Sequence, residues 1–188
     1  KTTCSAAKDH RHLSAKGLPE RVMLERDRAC HDGRMLTQFS NQIADIVDSA
    51  APSVVQVHGH RAPASGVTYA PGLVLTTARA VGHEEHPQVR AANGDTFGAE
   101  VVGWDPATRL VLLKAPGLDG KALPAAPTPR VGNIAIPIAR SWSNVVTATA
   151  GVISVIGGPL PTGRHRQIDQ VFRTSAPMHE GFAGGAVL

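Results

Sequence analysis

The chain has 188 residues, of which 42% are hydrophobic and 18% charged, enough to enclose a hydrophobic core in one globular unit. Its formal net charge is +4, and residues 1–34 supply most of it: eight Lys/Arg face five Asp/Glu there, against eleven and ten in the remainder. Aromatic residues make up only 4%, too few to interleave with cations as stacking platforms, so nucleic acid is not an expected partner.

The leading segment mixes charges and small residues without a sustained apolar period, and Gly17 and Pro19 interrupt it. It reads as a basic N-terminal arm over 1–34, disordered or docked on a partner, ahead of a domain over 35–188. Cys4 and Cys30 both fall in the arm, so they cannot staple the domain; one local disulfide and two free thiols both remain open. No apolar h-region follows Lys1, so no secretory signal is visible, and the compartment stays open.

From Met35, "MLTQFSNQIADIVDSAAPSV" sets Leu36, Phe39, Ile43, Ile46 or Val47, and Ala50 at helical intervals, with Pro52 just beyond. The spacing predicts a short amphipathic helix whose apolar face needs a core. After Ser53 the period becomes that of strands. "SVVQVHGH" alternates, "GVTYAPGLVLTTA" is a pair of strands around Pro71 and Gly72, and "PQVRAANGDTFGAEVVGWD" breaks at Asn93 and Gly94. Asn-Gly between such runs signals a tight hairpin, expected here with positive φ at both turn residues.

Further short strands are expected in "RLVLLKA", "NIAIPIA", "VVTATAGVISVI" and "RQIDQVFRTSA". Regular Pro and Gly punctuation between them indicates an all-β barrel or sandwich. The apolar-rich run 147–160 contains threonines, glycines and a proline and is shorter than the roughly 20 residues of a spanning helix, so no transmembrane segment is expected.

Histidines are the natural metal candidates. His58 and His60 alternate on one strand face, and "HEEH" places His83 and His86 around two acidic residues. Neither spacing matches a zinc signature, and exposed histidines are the simpler reading, so no metal and no cofactor is expected. "TGRHRQ", around Arg164 to Arg166, reads as an exposed hairpin tip, with a basic docking patch as the alternative.

Three stretches in order, "GLVLTTARAV", "VVGWDPATRLVLLKA" and "RTSAPMHEGFAGGAVL", resemble the HtrA (Deg, or Do-like) branch of the trypsin-like serine proteases. The family's counterparts end a strand with Thr-x-x-His-x-Val, open another with Asp-x-x-Thr-Asp-Leu-x-Leu-Leu-Lys, and finish with Gly-x-Ser-Gly-Gly. The resemblance covers roughly residues 36–188 and implies an all-β, trypsin-like double barrel of two six-stranded barrels with a cleft between them. The family pattern continues past Gly-Gly with further strands and a helix, and PDZ domains often follow. Since this sequence stops at Leu188, an incomplete second barrel with an unpaired edge, or a fragment of a longer protein, is the expectation.

Carried over by position, the family's general base falls on Arg79, its orienting carboxylate on Arg109 and its nucleophile on Ala183. Alanine offers no nucleophile, and arginine, with a pKa above about 12, neither accepts a proton near neutrality nor stabilises an imidazolium. The backbone N–H groups at Gly181 and Ala183 would still serve as an oxyanion hole. Two guanidinium groups brought within 4 Å would repel by about 4 kcal/mol at an effective dielectric near 20. Either they turn to solvent or an anion lies between them: Glu180, a partner's carboxylate or phosphate.

These residues point to a pseudoprotease that uses the former cleft or a barrel surface to bind peptide or protein, or that serves as a subunit of a homo- or hetero-oligomer. The alternatives are an active hydrolase with a relocated group drawn from Ser175 and His179, and an anion- or metal-binding module.

Overall fold

The computed structural model describes residues 20–188 apart from residues 60, 61, 83, 85, 141, 142 and 164, and of residues 20–32 it describes the backbone alone. His60, His83, Arg164 and Cys4, and the side chain of Cys30, therefore lie outside the described residues. The chain separates into two compact units, Lys1–Asp45 and Ile46–Leu188.

The helix expected from Met35 is longer than its apolar pattern suggests: α1 spans Glu20–Ala50. Residues 20–34, assigned to the arm on composition, are helical because Glu, Arg, Met, Leu and Ala dominate them and are strong helix formers. Gly33 is the weak point, and Thr37 Oγ1 donates to its carbonyl at 2.9 Å. In the first unit, Met35, Leu36 and Phe39 are exposed. In the second, Ile46 is exposed, Val47 half-buried and Ala50 buried. A single 3-10 turn, Ala51–Ser53, with Pro52 in its first positions, then leads into the sheet.

Seven antiparallel strands form the main sheet: β1 (Val54–His58), β2 (Ala64–Ala70), β3 (Leu73–Thr77), β4 (Gln88–Arg90), β5 (Thr96–Gly98), β6 (Glu100–Asp105) and β7 (Leu110–Lys114). Their order is β5-β4-β1-β2-β3-β7-β6, and the short helix α2 (Ala78–Val81) follows β3. Val55, Val57, Val74, Val89, Val111, Leu113 and Leu118 come together as its core. All but Leu118, which follows β7, are apolar positions of the strands, and full burial of such a side chain is worth about 1.5–3 kcal/mol.

Two hairpins sit where the turn residues place them. Pro71 and Gly72, the latter at φ +70°, link β2 to β3. At Asn93-Gly94, between β4 and β5, only Gly94 has positive φ (+97°). Gly94 N–H donates to Ala91 O at 3.0 Å and Ala91 N–H to Asp95 O at 2.8 Å. This is a type I turn closed by a left-handed glycine, one residue longer than the two-residue turn expected, because Asn93 keeps ordinary φ and Gly94 alone makes the reversal.

The remaining strands are β8 (Ile134–Ala135), β9 (Pro137–Arg140), β10 (Val146–Ala148), β11 (Gly151–Gly157), β12 (Leu160–Gly163), β13 (Arg166–Ile168), β14 (Val171–Thr174) and β15 (Ala186–Val187). They group as β10-β9-β15, β14-β11-β8 and the pair β12-β13. The architecture is all-β, as expected. Among the described residues no helix is long and apolar enough to cross a membrane.

Candidate functional site around the Gly181–Gly185 turn

The site is assembled by three connections between distant parts of the chain. The first joins Arg79 and Arg109. Leu110 of β7 pairs with Thr77 of β3, and the N–H of Ala78 donates to the carbonyl of Arg109 at 2.8 Å. Thr77 caps α2, its side chain accepting from Ala80 N–H. The β6–β7 turn is built on Asp105, whose carboxylate accepts from the N–H groups of Ala107 and Thr108 and from the Thr108 hydroxyl. The Thr108 hydroxyl bond, with those backbone donors, holds the Asp105 carboxyl below the usual range. Arg109 ends the turn in the left-handed region at φ +60°, unusual for a residue with a side chain.

The second connection brings in the glycine-rich turn. Ser65 of β2 donates its N–H to Ala183 O at 3.1 Å and its hydroxyl to Gly181 O at 2.7 Å. Gly181 and Gly184 have φ of +91° and +83°, so the segment reverses tightly. At Gly184 a Cβ would lie 2.2 Å from Ser65 O and 2.7 Å from Thr76 Oγ1, an approach open to glycine alone. The Thr76 hydroxyl in turn donates to Ser65 O at 2.7 Å.

The third connection is one that the sequence reading missed. Arg140 is 7% exposed, and its guanidinium donates to the carbonyls of Val54 (2.7 Å), Asn144 (2.6 Å) and Ala51 (3.0 Å). Burial pulls its pKa below the ordinary arginine value. Its N–H donates to Ser65 Oγ at 2.8 Å, and Ser65 Oγ also lies 3.2 Å from Arg140 O. Arg140 thus satisfies carbonyls at the start of the sheet and, through Ser65, braces the turn that carries Ala183. A single arginine in "IPIARS" carries no sequence signal of this, because every partner except Asn144 is more than 70 positions away.

The side chains of Arg79 and Arg109 are both exposed, which relieves their repulsion, and neither forms an ion pair or side-chain hydrogen bond among the described residues. Ala183 is exposed and Gly181 half-buried. The two residues weighed as a relocated site are engaged elsewhere: Ser175 Oγ accepts from Val152 N–H at 3.0 Å, and the His179 ring lies edge-on to Phe182, centroids 6.0 Å apart. His86 is exposed, and no group of three or more potential metal ligands occurs among the described residues. His58 Nε2 lies 2.7 Å from Gln56 Oε1, and burial, then the charge of Arg90, lowers its pKa. A cavity of about 480 Å³ borders Val55, Phe97, Leu118 and Lys121 but none of Arg79, Arg109 and Ala183.

Comparison with known proteins gives a consistent result. The family described as the trypsin-like peptidase domain matches residues 64–188. The serine endoprotease DegS of Escherichia coli is 30% identical over 162 residues, covering 76% of this chain and 44% of that protein. The mitochondrial serine protease HTRA2 of Bos taurus is 27% identical over 166 residues, covering 79% of this chain and 36% of that protein. The chain thus spans less than half the length of these relatives. Among solved structures, the active form of the Rv3671c protease from M. tuberculosis is 25% identical with a TM-score of 0.67, covering 76% of this chain and 67% of that one. Deg5, at 23% identity and a TM-score of 0.68 over 79% of this chain and 80% of that one, shares the fold. The chain belongs to the trypsin-like peptidase family, with HtrA-type serine proteases among its relatives.

Proposed function

We propose that this domain is an HtrA-like pseudoprotease: a trypsin-fold protein without proteolytic activity whose former catalytic cleft binds a peptide or protein segment. What supports the reading is Ala183, which the family resemblance sets at the nucleophile position, together with the glycine turn around it, braced by Ser65. Arg79 and Arg109 at the other two positions supply neither base nor carboxylate. With the scaffold present and its reactive groups replaced, binding is the capability left to the cleft. Residual acceleration from backbone donors alone, about 10³–10⁴ over water, is far below what a working protease needs.

The alternative of a relocated catalytic group has less support. Ser175 Oγ is bonded to a strand N–H and His179 packs on Phe182, so nucleophile and base are not joined. The test is fluorophosphonate labelling and prolonged casein digestion, run on the protein and on the triple variant Arg79→His, Arg109→Asp, Ala183→Ser. The protein should remain unlabelled and leave casein intact, while the triple variant gains labelling. Casein cleavage by the unaltered protein would overturn the reading.

A further inference from the structure

The replacements at the cleft change its charge as well as its chemistry. Where the family pattern has a neutral base beside a carboxylate, this chain has two arginines, both exposed and unpaired among the described residues. The segments that carry them are tied together by the bond from Ala78 N–H to Arg109 O. Arg79 follows Thr76 by three residues, a span of at most about 11 Å. The Thr76 hydroxyl lies 2.7 Å from where a Cβ at Gly184 would stand, next to Ala183. Both arginines therefore lie on segments that the sheet ties, directly or through one backbone bond, to the neighbourhood of the glycine turn.

That turn has donors to offer. The N–H of Phe182 donates to His179 O at 3.3 Å and that of Gly185 to Phe182 O at 2.9 Å, whereas the N–H groups of Gly181 and Ala183 have no acceptor among the described residues. Successive backbone donors around a residue with positive φ form an anion-binding concavity. The nearby acids do not fill it. Asp105 is committed to its own turn, and Glu84 and Glu180 pair with neither arginine.

We infer that Arg79 and Arg109, together with the N–H groups of Gly181 and Ala183, hold a carboxylate of a bound polypeptide in the former cleft. The inference rests on the reading of that cleft as a binding surface and names its partner chemistry: an acidic side chain or a free C-terminus. A guanidinium presents paired donors that match a carboxylate, and two of them beside backbone N–H groups favour it over a neutral peptide. Attraction between exposed charges weakens with salt, since the screening length falls from about 10 Å at 0.1 M to about 3 Å at 1 M.

The test is fluorescence anisotropy with labelled hexapeptides of Gly and Ala that carry two Glu residues and a free C-terminus, two Glu residues and an amidated C-terminus, or two Gln residues and an amidated C-terminus. At least one acidic peptide should bind, and the Gln peptide about tenfold or more weakly. Comparison of the two acidic peptides separates a side-chain carboxylate from a terminal one. Arg79→Gln with Arg109→Gln should reduce acidic-peptide binding about tenfold. Arg79→Lys with Arg109→Lys should retain part of it, and Arg130→Gln, at another exposed arginine, should leave it unchanged.

Equal binding of neutral and acidic peptides, or an unaltered affinity in the double Gln variant, would overturn the inference while leaving the cleft as a binding surface. So would an oligonucleotide bound as tightly as the acidic peptide at 150 mM salt. Fluorophosphonate labelling of the unaltered protein would overturn the pseudoprotease reading instead, so the two failures are distinguishable.

Discussion

The N–H of Ser65 donates to the carbonyl of Ala183 at 3.1 Å, joining the second strand of the main sheet to the glycine turn near the end of the chain. The same serine's hydroxyl donates to Gly181 O and accepts from Arg140 N–H. One fully buried side chain therefore sets the position of the turn against β2 and β9.

Ser65→Ala should cost about 1–3 kcal/mol, because it takes a partner from the buried N–H of Arg140 and the half-buried carbonyl of Gly181. For a chain of this length the melting temperature should fall by roughly 2–4 °C per kcal/mol. Urea unfolding would measure the first and calorimetry the second; an unchanged midpoint would mean the turn holds without Ser65.

Arg140→Met should be more damaging, at about 3 kcal/mol or more, since carbonyls of Ala51, Val54 and Asn144 lose their donor together. Arg140→Lys should recover only part of the loss, as one ammonium cannot reproduce the planar fork that serves three directions. Equilibrium denaturation of both variants checks the ranking.

Two glycines should behave oppositely. Gly184→Ala forces a Cβ to within 2.2 Å of Ser65 O at φ +83°, so the turn must shift, and a loss of about 2 kcal/mol or more is expected. At Gly98 nothing lies within 4 Å of a Cβ, and Gly98→Ala should be neutral or stabilise by up to about 1 kcal/mol. Thermal melts of the two variants side by side settle the contrast.

His58 gives the fold a mild acid sensitivity. Its pKa is lowered from 6.5, first by burial and then by Arg90, so the unfolded chain binds the proton more readily than the folded one. Its contribution is fully present above pH 6.5 and is lost as pH falls from there through the lower folded value. His58→Gln should flatten that part of the stability–pH curve; an identical slope in the variant would exclude His58 as its source.

Ala183→Ser alone should leave the protein inert to fluorophosphonates. Under the proposed function the base position holds Arg79, and arginine cannot take the proton of the new hydroxyl. Labelling by the single variant at the rate of the triple variant would mean that another base serves the site.

Much of the fold was legible in the residues themselves. Alternating β-branched runs separated by Gly and Pro marked the strands, and Pro71-Gly72 and Asn93-Gly94 marked two hairpins, because pleat periodicity and turn geometry are local properties. The sequence could also single out Arg79, Arg109 and Ala183 as candidates, since the motifs around them are short contiguous patterns. The full extent of α1 was not: its first half has helix-forming composition without an apolar stripe, and the reading relied on the stripe.

What only the tertiary structure decided is how distant segments meet. The bonds of Ser65 to Gly181 and of Arg140 to Val54 and Ala51 span 116, 86 and 89 positions, and neither a lone serine in a strand nor a lone arginine after "IPIA" announces them. A buried donor is matched to whichever carbonyl the packed sheets leave without a partner, and that depends on where the chain returns after many residues. The sequence by itself determined which chemical groups stand at the candidate site; the packing of the turn against β2 determined how they are held.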